Sequence, residues 1–284
     1  MALRVVVMTF FHPAYRVVAD WAERHGHRIV LVVTPPVGRS LRGANPLVLD
    51  LPPDADVLLT GRLRPIATPA ITALAPDLVV SVAYPRLIPP EIIAVPTCGA
   101  FNVHPSLLPE GRGPNPQRAV YEGATTIGAT THRIAPEFDT GAIMSQREAT
   151  LPEELTAVTF LAGWLDLMAQ TLEEGVASAL AGEPGRPQDA ERATEARPFT
   201  IEEKLLDLTE PASVLVRKAA ALNVMGPEAK VRVDGTEATV LAVRPAPGQA
   251  TAPGTILDKH EDGWTVQTGT DALRIVTVVA LHGQ

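Results

Sequence analysis

Five segments in the N-terminal part of the chain are almost continuously apolar and no longer than a strand. They are Arg4–Phe10 (RVVVMTF), Arg28–Val33 (RIVLVV), Asp56–Thr60 (DVLLT), Asp77–Ala83 (DLVVSVA) and Ala100–Val103 (AFNV). A strand with one wet face alternates apolar and polar residues; a strand apolar throughout must be covered on both faces. Tyr15–Arg24 reads as a helix between the first two runs. Strands and helices in alternation give an α/β fold with an open, mostly parallel, Rossmann-like sheet. Thr130–Ile134 and Ala142–Gln146 are two further candidate strands. The strongest helix runs from Pro152 to Leu180, where Val158, Leu161, Leu165, Met168, Leu172 and Val176 fall three or four apart and form one packing stripe.

The texture changes after that helix. Gly182–Arg197 (GEPGRPQDAERATEAR) is polar and broken by Pro and Gly, the composition of a linker. Beyond a short helical segment, five short runs follow: Lys230–Val233, Ala238–Val243, Gly254–Leu257, Gly263–Thr268 and Leu273–Val279. Short strands separated by Gly, Pro and Asp predict a small β-rich, OB-like domain. The expected organisation is residues 1–182 as a catalytic domain, 183–198 as linker and 199–284 as the small domain.

Chemistry concentrates between Phe101 and Met144. Asn102 and His104 are two apart, so on a strand they share a face. Pro105 and Pro109 then lead the chain out of the sheet. Asp139 follows, in an Asp-Thr-Gly turn. An imidazole moves protons near neutral pH, a carboxylate orients it or holds a water, and an amide donates to an oxygen gaining charge. Together they suit acyl transfer by direct attack of an acceptor, since no Gly-x-Ser-x-Gly elbow is present. Taken singly, each residue is better explained as serving a turn or a loop.

Several classes fall away. The first βα turn, Met8-Thr9-Phe10-Phe11-His12-Pro13, has no glycine to admit a dinucleotide pyrophosphate. The first two hundred residues contain no lysine, so they hold no P-loop or Schiff-base lysine. The single cysteine, Cys98, excludes a disulfide framework or a cysteine-rich metal site carried by this chain alone. His104, His132 and Asp139 match no metal-ligand spacing, and no metal is expected. No run of eighteen apolar residues is present, and the N-terminus lacks a signal-peptide layout. A cytoplasmic protein with no membrane partner is expected; the oligomeric state is left open.

The segments NVHPSLLPEGRGPNPQ and HRIAPEFDTGAIMSQ resemble the folate-dependent formyltransferase family, as does PDLVVSVAYPRLIPPEII. PASVLVRKAAALN and APGTIL resemble the small C-terminal domain found in part of that family. The resemblance implies an enzyme that moves a formyl group from N10-formyltetrahydrofolate to a primary amine. It places Asn102, His104 and Asp139 on the catalytic trio. His104 would polarise the formyl carbonyl or stabilise the oxyanion, Asn102 would add a hydrogen bond to that oxygen, and Asp139 would position His104 or a water and help remove the amine proton. The pterin would lie between Arg86-Leu87-Ile88 and Pro136-Glu137-Phe138, held mostly by backbone groups. It also implies a cis Leu108–Pro109 bond.

The acceptor is read from what departs from the family. Where the family often has Tyr-Arg-Gly, this chain has Glu110-Gly111-Arg112-Gly113-Pro114-Asn115, making Glu110, Arg112 and Asn115 candidate acceptor contacts. The chain carries a net charge of −8, and residues 199–284 hold eight basic against eleven acidic side chains, a net of −3. A tRNA-binding domain gains affinity from phosphate neutralisation. The early Val37–Gly43 loop is only weakly basic. Charge therefore favours a small-molecule amine, an amino sugar nucleotide or an amino-acid-derived metabolite, with methionyl-tRNA as the alternative. Hydrolysis of the formyl donor, or folate binding without catalysis, are further alternatives.

Overall fold

The computed structural model describes residues 2–36 and 46–278, so the Val37–Gly43 loop lies outside the described residues. The chain forms two compact units, each assembled from three separate segments. The first comprises Met1–Pro114, Gly128–Ala149 and Trp164–Glu195; the second comprises Asn115–Ile127, Thr150–Gly163 and Ala196–Gln284.

The first unit is built on a seven-stranded sheet: β1 (Arg4–Met8), β2 (Arg28–Thr34), β3 (Val57–Leu59), β4 (Leu78–Val82), β5 (Gly99–His104), β6 (Thr126–Arg133) and β7 (Ile143–Thr150). Their order is β3-β2-β1-β4-β5-β6-β7. The first five pair in parallel, and β6 runs antiparallel to β5. The apolar runs behave as their composition demands: Val5, Val6, Val7, Met8, Leu78, Val79, Val80 and Val82 have no exposed surface. β1 ends at Met8, short of the expected Phe10. Thr9 donates its amide to Val33, Phe10 donates to Ala83, and Pro13 sits in the first turn of the helix His12–Arg24.

The longest helix spans Ala157–Leu180, starting five residues after Pro152. The start is fixed by a reciprocal cap. The Thr159 amide donates to Thr156 Oγ1 at 3.1 Å, and the Thr156 amide donates to Thr159 Oγ1 at 2.9 Å. Thr156 and Thr159 thus form a capping box, which satisfies two amide donors that a helix terminus leaves without partners.

The second unit carries six strands: β8 (Leu205–Leu206), β9 (Lys230–Val233), β10 (Thr236–Ala246), β11 (Ile256–His260), β12 (Gly263–Gln267) and β13 (Ala272–Thr277), in the order β11-β12-β13-β10-β9-β8. β9 and β10 are joined by Asp234-Gly235, with φ of 49° and 75°. Positive φ at both positions is what a two-residue hairpin turn requires. The helix Ala212–Asn223 packs on this sheet through Leu215, Ala219 and Leu222. Its last residue, Asn223, is buried; its amide donates to Val240 O at 2.9 Å and its oxygen accepts from the amides of Glu228 and Ala229.

Arg118 is buried in the same unit. Its five N–H groups reach Glu122, both oxygens of Glu203, and the carbonyls of Arg197 and Pro198. The guanidinium beside Glu203 holds that carboxyl down at about 2.

Candidate active site

β5 and β6 build the floor of the site. Asn102 lies directly opposite His132, and His104 opposite Thr130, so all four project from one face of the sheet. His132 was weighed in the sequence only as a metal ligand; its position here follows from antiparallel register. His132 Nδ1 donates to Arg133 O at 2.8 Å, so its Nε2 carries a lone pair. That lone pair accepts from Asn102 Nδ2 at 3.1 Å, which fixes which end of the Asn102 amide is nitrogen. The second Nδ2 hydrogen goes to Asp139 Oδ1 at 3.2 Å.

Asp139 is nearly buried and sits at φ 56°, a left-handed conformation that aspartate tolerates better than most residues. Its other oxygen, Oδ2, accepts from the Gly113 amide at 2.9 Å. Gly141 permits the turn: a Cβ there would lie 1.8 Å from the Arg133 carbonyl oxygen. The structure thus brings Asn102, His104 and Asp139 together, with His132 as a fourth member.

His104 is buried, and its Nε2 donates to Gly111 O at 2.8 Å. Nδ1 is then the lone-pair nitrogen of the neutral ring, 3.7 Å from Asp139 Oδ1. Burial pushes the imidazole below its usual pKa, against the pull of Asp139 and the Gly111 carbonyl. For Asp139, burial would raise the carboxyl; the pull of the two imidazoles in their protonated forms, with the Gly113 amide, outweighs it and sets the group well below the usual carboxylate range. The resting site is therefore a neutral imidazole beside an ionised carboxylate.

The loop leaving β5 is held by Thr130. Its hydroxyl donates to Ser106 O at 2.6 Å and accepts from the Leu108 amide and from Gln146 Nε2. Gln146 also donates to Leu108 O at 2.8 Å, next to the cis Leu108–Pro109 bond.

The remaining predicted residues divide. Arg86, Leu87, Pro136, Glu137 and Phe138 are exposed, whereas Ile88 is buried. Leu87 and Phe138 are each 48% exposed, unusual for such apolar side chains. Among the described residues, Arg86, Leu87 and Ile88 engage in no backbone–backbone hydrogen bond outside regular elements. Among the described residues the nearby Tyr84 hydroxyl is buried without a partner, and burial pushes it up to about 12. Free peptide edges, exposed apolar side chains and an unsatisfied hydroxyl fit a flat heteroaromatic ring such as a pterin. Glu110 instead pairs with Arg192 at 2.7 Å. Asn115 belongs to the second unit, where its side-chain oxygen accepts from Gln117. Arg112 is half-buried and is gripped by Gln188, which the sequence hid inside its linker-like stretch. No group of three or more His, Cys, Asp or Glu arranged for a metal ion occurs among the described residues, and no helix among them is long and apolar enough to cross a membrane.

Comparison with known proteins defines the class. Residues 17–175 match the formyl transferase family, and residues 199–284 match the formyl transferase C-terminal domain. The chain belongs to this family, and it is an enzyme of folate-dependent formyl transfer, with N10-formyltetrahydrofolate as donor. It is 33% identical over 280 residues to a methionyl-tRNA formyltransferase of Xanthomonas campestris, covering 93% of this chain and 89% of the relative. It is 32% identical to the Roseiflexus enzyme of the same name, over 94% and 83% of the two chains. Its fold is similar to that of HypX from Aquifex aeolicus in complex with tetrahydrofolic acid, with a TM-score of 0.75 at 18% identity, covering 97% of this chain and 44% of that longer one.

These relatives overturn the small-molecule amine favoured on charge, both as acceptor and as partner. They match almost the whole chain, C-terminal domain included, and are named for methionyl-tRNA. The error was physical. Net charge is a sum and does not report where charges are neutralised. In residues 199–284, Lys204, Lys218, Lys230, Arg232 and Arg274 each form an ion pair with a nearby acid. These five bases are engaged with four acids, Glu228, Glu210, Glu237 and Asp262, whereas Arg217, Arg244 and Lys259 form no ion pair among the described residues.

Proposed function

We propose that this enzyme transfers the formyl group of N10-formyltetrahydrofolate to the amino group of methionine esterified to tRNA, in the cytoplasm, where aminoacyl-tRNA is found. The observation that carries the reading is the near-full-length match to methionyl-tRNA formyltransferases. The bound donor supplies an activated formyl carbon. Asn102, His104 and Asp139 act on the transfer. Asn102 Nδ2 keeps its bond to His132 and exchanges the longer, 3.2 Å bond to Asp139 for the formyl oxygen as that oxygen gains charge. As the amine nitrogen bonds to the formyl carbon and the bond from that carbon to N10 breaks, His104 takes up the amine proton at Nδ1, the nitrogen left open by the Gly111 bond, and returns it to N10 of the departing tetrahydrofolate. Asp139 lies 3.7 Å away and stabilises the imidazolium that results. The stretches Arg86-Leu87-Ile88 and Pro136-Glu137-Phe138, exposed apart from Ile88, hold the pterin. Residues 1–182 carry the acting side chains, 183–195 are folded into the same unit through Arg186, Gln188 and Thr194, and 199–284 assist in holding the tRNA.

The test is formylation of charged initiator tRNA by the purified protein with N10-formyltetrahydrofolate. Incorporation of formyl label into methionyl-tRNA is expected. Formate release at the same rate with and without tRNA would instead favour a hydrolase and defeat the proposal.

A further inference from the structure

Gln188 uses every hydrogen-bonding position of its side chain within the first unit. Nε2 donates to Asp139 O at 2.7 Å and to Gly141 O at 2.8 Å. Oε1 accepts from Arg112 Nη2 at 2.7 Å and from Arg112 Nε at 3.2 Å. One amide thus grips both ends of the Asp139 turn and one edge of the Arg112 guanidinium. The backbone around it is stitched at both sides. Arg186 exchanges amide–carbonyl bonds with Ile143 at 2.8 Å. Thr194 receives the Arg112 amide at 2.9 Å and donates to Pro109 O. Thr194 Oγ1 also accepts from the Gly111 amide at 2.9 Å, and Gly111 is the residue whose carbonyl orients His104.

Arg112 is the informative partner. Arg118 has all five N–H groups engaged and carboxylates against its charge. Arg112 has two of its five engaged, both on a neutral oxygen, and no carboxylate lies within 4.0 Å of it among the described residues. Its nearest acid in sequence, Glu110, is turned to Arg192. A half-buried guanidinium held rigid by an uncharged amide, with an open edge and no counter-charge, is set up to receive an oxyanion in a two-point contact.

Resting on the acceptor reading above, we infer that Gln188 is a positioning residue that locks the Asp139 turn and presents Arg112 to a phosphodiester of the tRNA acceptor end. Two loops that must act on one substrate, the proton-handling turn and the phosphate contact, are thereby fixed to a single side chain. Displacing it moves both.

The experiment measures steady-state formylation of charged tRNA at several salt concentrations, varying each substrate in turn, for wild type, Arg112→Ala, Arg112→Lys, Gln188→Ala and Gln188→Glu, alongside melting temperatures. Arg112→Ala is expected to raise KM for tRNA about tenfold, leave KM for the formyl donor unchanged, and flatten the slope of log(kcat/KM) against log[salt] by about 0.7, one single-strand phosphate contact. Arg112→Lys should restore the slope but not the full affinity. Gln188→Glu can still hold Arg112 but cancels its charge and sets a carboxylate oxygen against the Asp139 and Gly141 carbonyls, so it should flatten the slope as Arg112→Ala does and lower kcat as Gln188→Ala does. Gln188→Ala should lower kcat about tenfold as well as raising KM for tRNA.

A Gln188→Ala enzyme that melts earlier but keeps kcat, KM and slope has lost only structure, and that overturns the inference. So does an Arg112→Ala enzyme whose KM rises for the formyl donor instead of for tRNA. If wild type fails to formylate charged tRNA, the acceptor reading and this inference fall together. If wild type does so and the variants match it, this inference falls alone.

Discussion

Replacing Asp139 with asparagine tests the electrostatic core of the site. The native carboxylate accepts two hydrogen bonds, from Asn102 Nδ2 at 3.2 Å and from the Gly113 amide at 2.9 Å. Asparagine has one acceptor oxygen. Whichever way it turns, one bond is lost and an N–H faces an N–H, at a cost of about 1–3 kcal/mol. The larger effect is on His104. Asp139 Oδ1 lies 3.7 Å from His104 Nδ1, and in a protein site with an effective dielectric of about 20 a unit charge pair at that distance is worth about 4 kcal/mol. If His104 is charged in the transition state and neutral at rest, that attraction acts only on the barrier, and its loss slows transfer about a thousandfold. Single-turnover formyl transfer with saturating donor and charged tRNA reads the chemical step directly. The fold should hold, because removing a buried charge relieves desolvation while the lost bonds cost stability. A folded Asp139→Asn enzyme within tenfold of the wild-type rate would refute the charge argument, and an equal loss in tRNA binding would show that the turn serves binding instead.

Other outcomes follow from single features. Burial holds His104 below its unfolded pKa, so the unfolded chain binds the extra proton first; this residue's share of stability is present above about pH 6.5 and is lost as pH falls through that value toward the folded pKa. Urea midpoints should drop on acidification, and less so in His104→Gln. Asn223→Ala strands the Val240 carbonyl and the Ala229 amide in the core and should cost about 3–5 kcal/mol, read from urea unfolding at constant m. Gly141→Ala places a Cβ 1.8 Å from Arg133 O, forces the Asp139 turn to shift, and should lower kcat about a hundredfold with far-UV circular dichroism unchanged.

The parts of this molecule legible in the sequence are those set by local pattern. The buried strands announced themselves as apolar runs, because parallel strands covered on both faces have no polar alternation. Asn102 and His104 share a face by the two-residue period alone. His132 was harder: it stands opposite Asn102 only once β6 is known to run antiparallel and in that register. The long helix was placed too early because Pro152 invites a start, whereas the Thr156–Thr159 box sets the true one. Gln188 was invisible. Its surroundings have linker composition, and what makes it structural is a long-range amide grip on carbonyls 47 and 49 residues away. Acceptor choice failed for a related reason: charge was counted along the chain, while recognition depends on which charges are left unpaired in space.

The interleaving of the two units has a consequence for synthesis. Residues 115–127 emerge from the ribosome early, yet they belong with residues 196–284, which emerge last. Arg118 has its bidentate partner in Glu203, and Tyr121 donates its hydroxyl to Glu203 O at 2.9 Å. Until that late segment appears, a buried cation and an aromatic ring wait without their partners, while the first unit can already close around residues 164–195. The first unit can therefore complete during translation and the second only at its end. A stop codon or a proteolytic cut near residue 196 would leave no tidy catalytic fragment, but a closed sheet trailing exposed polar and aromatic groups meant for a chain that never arrives.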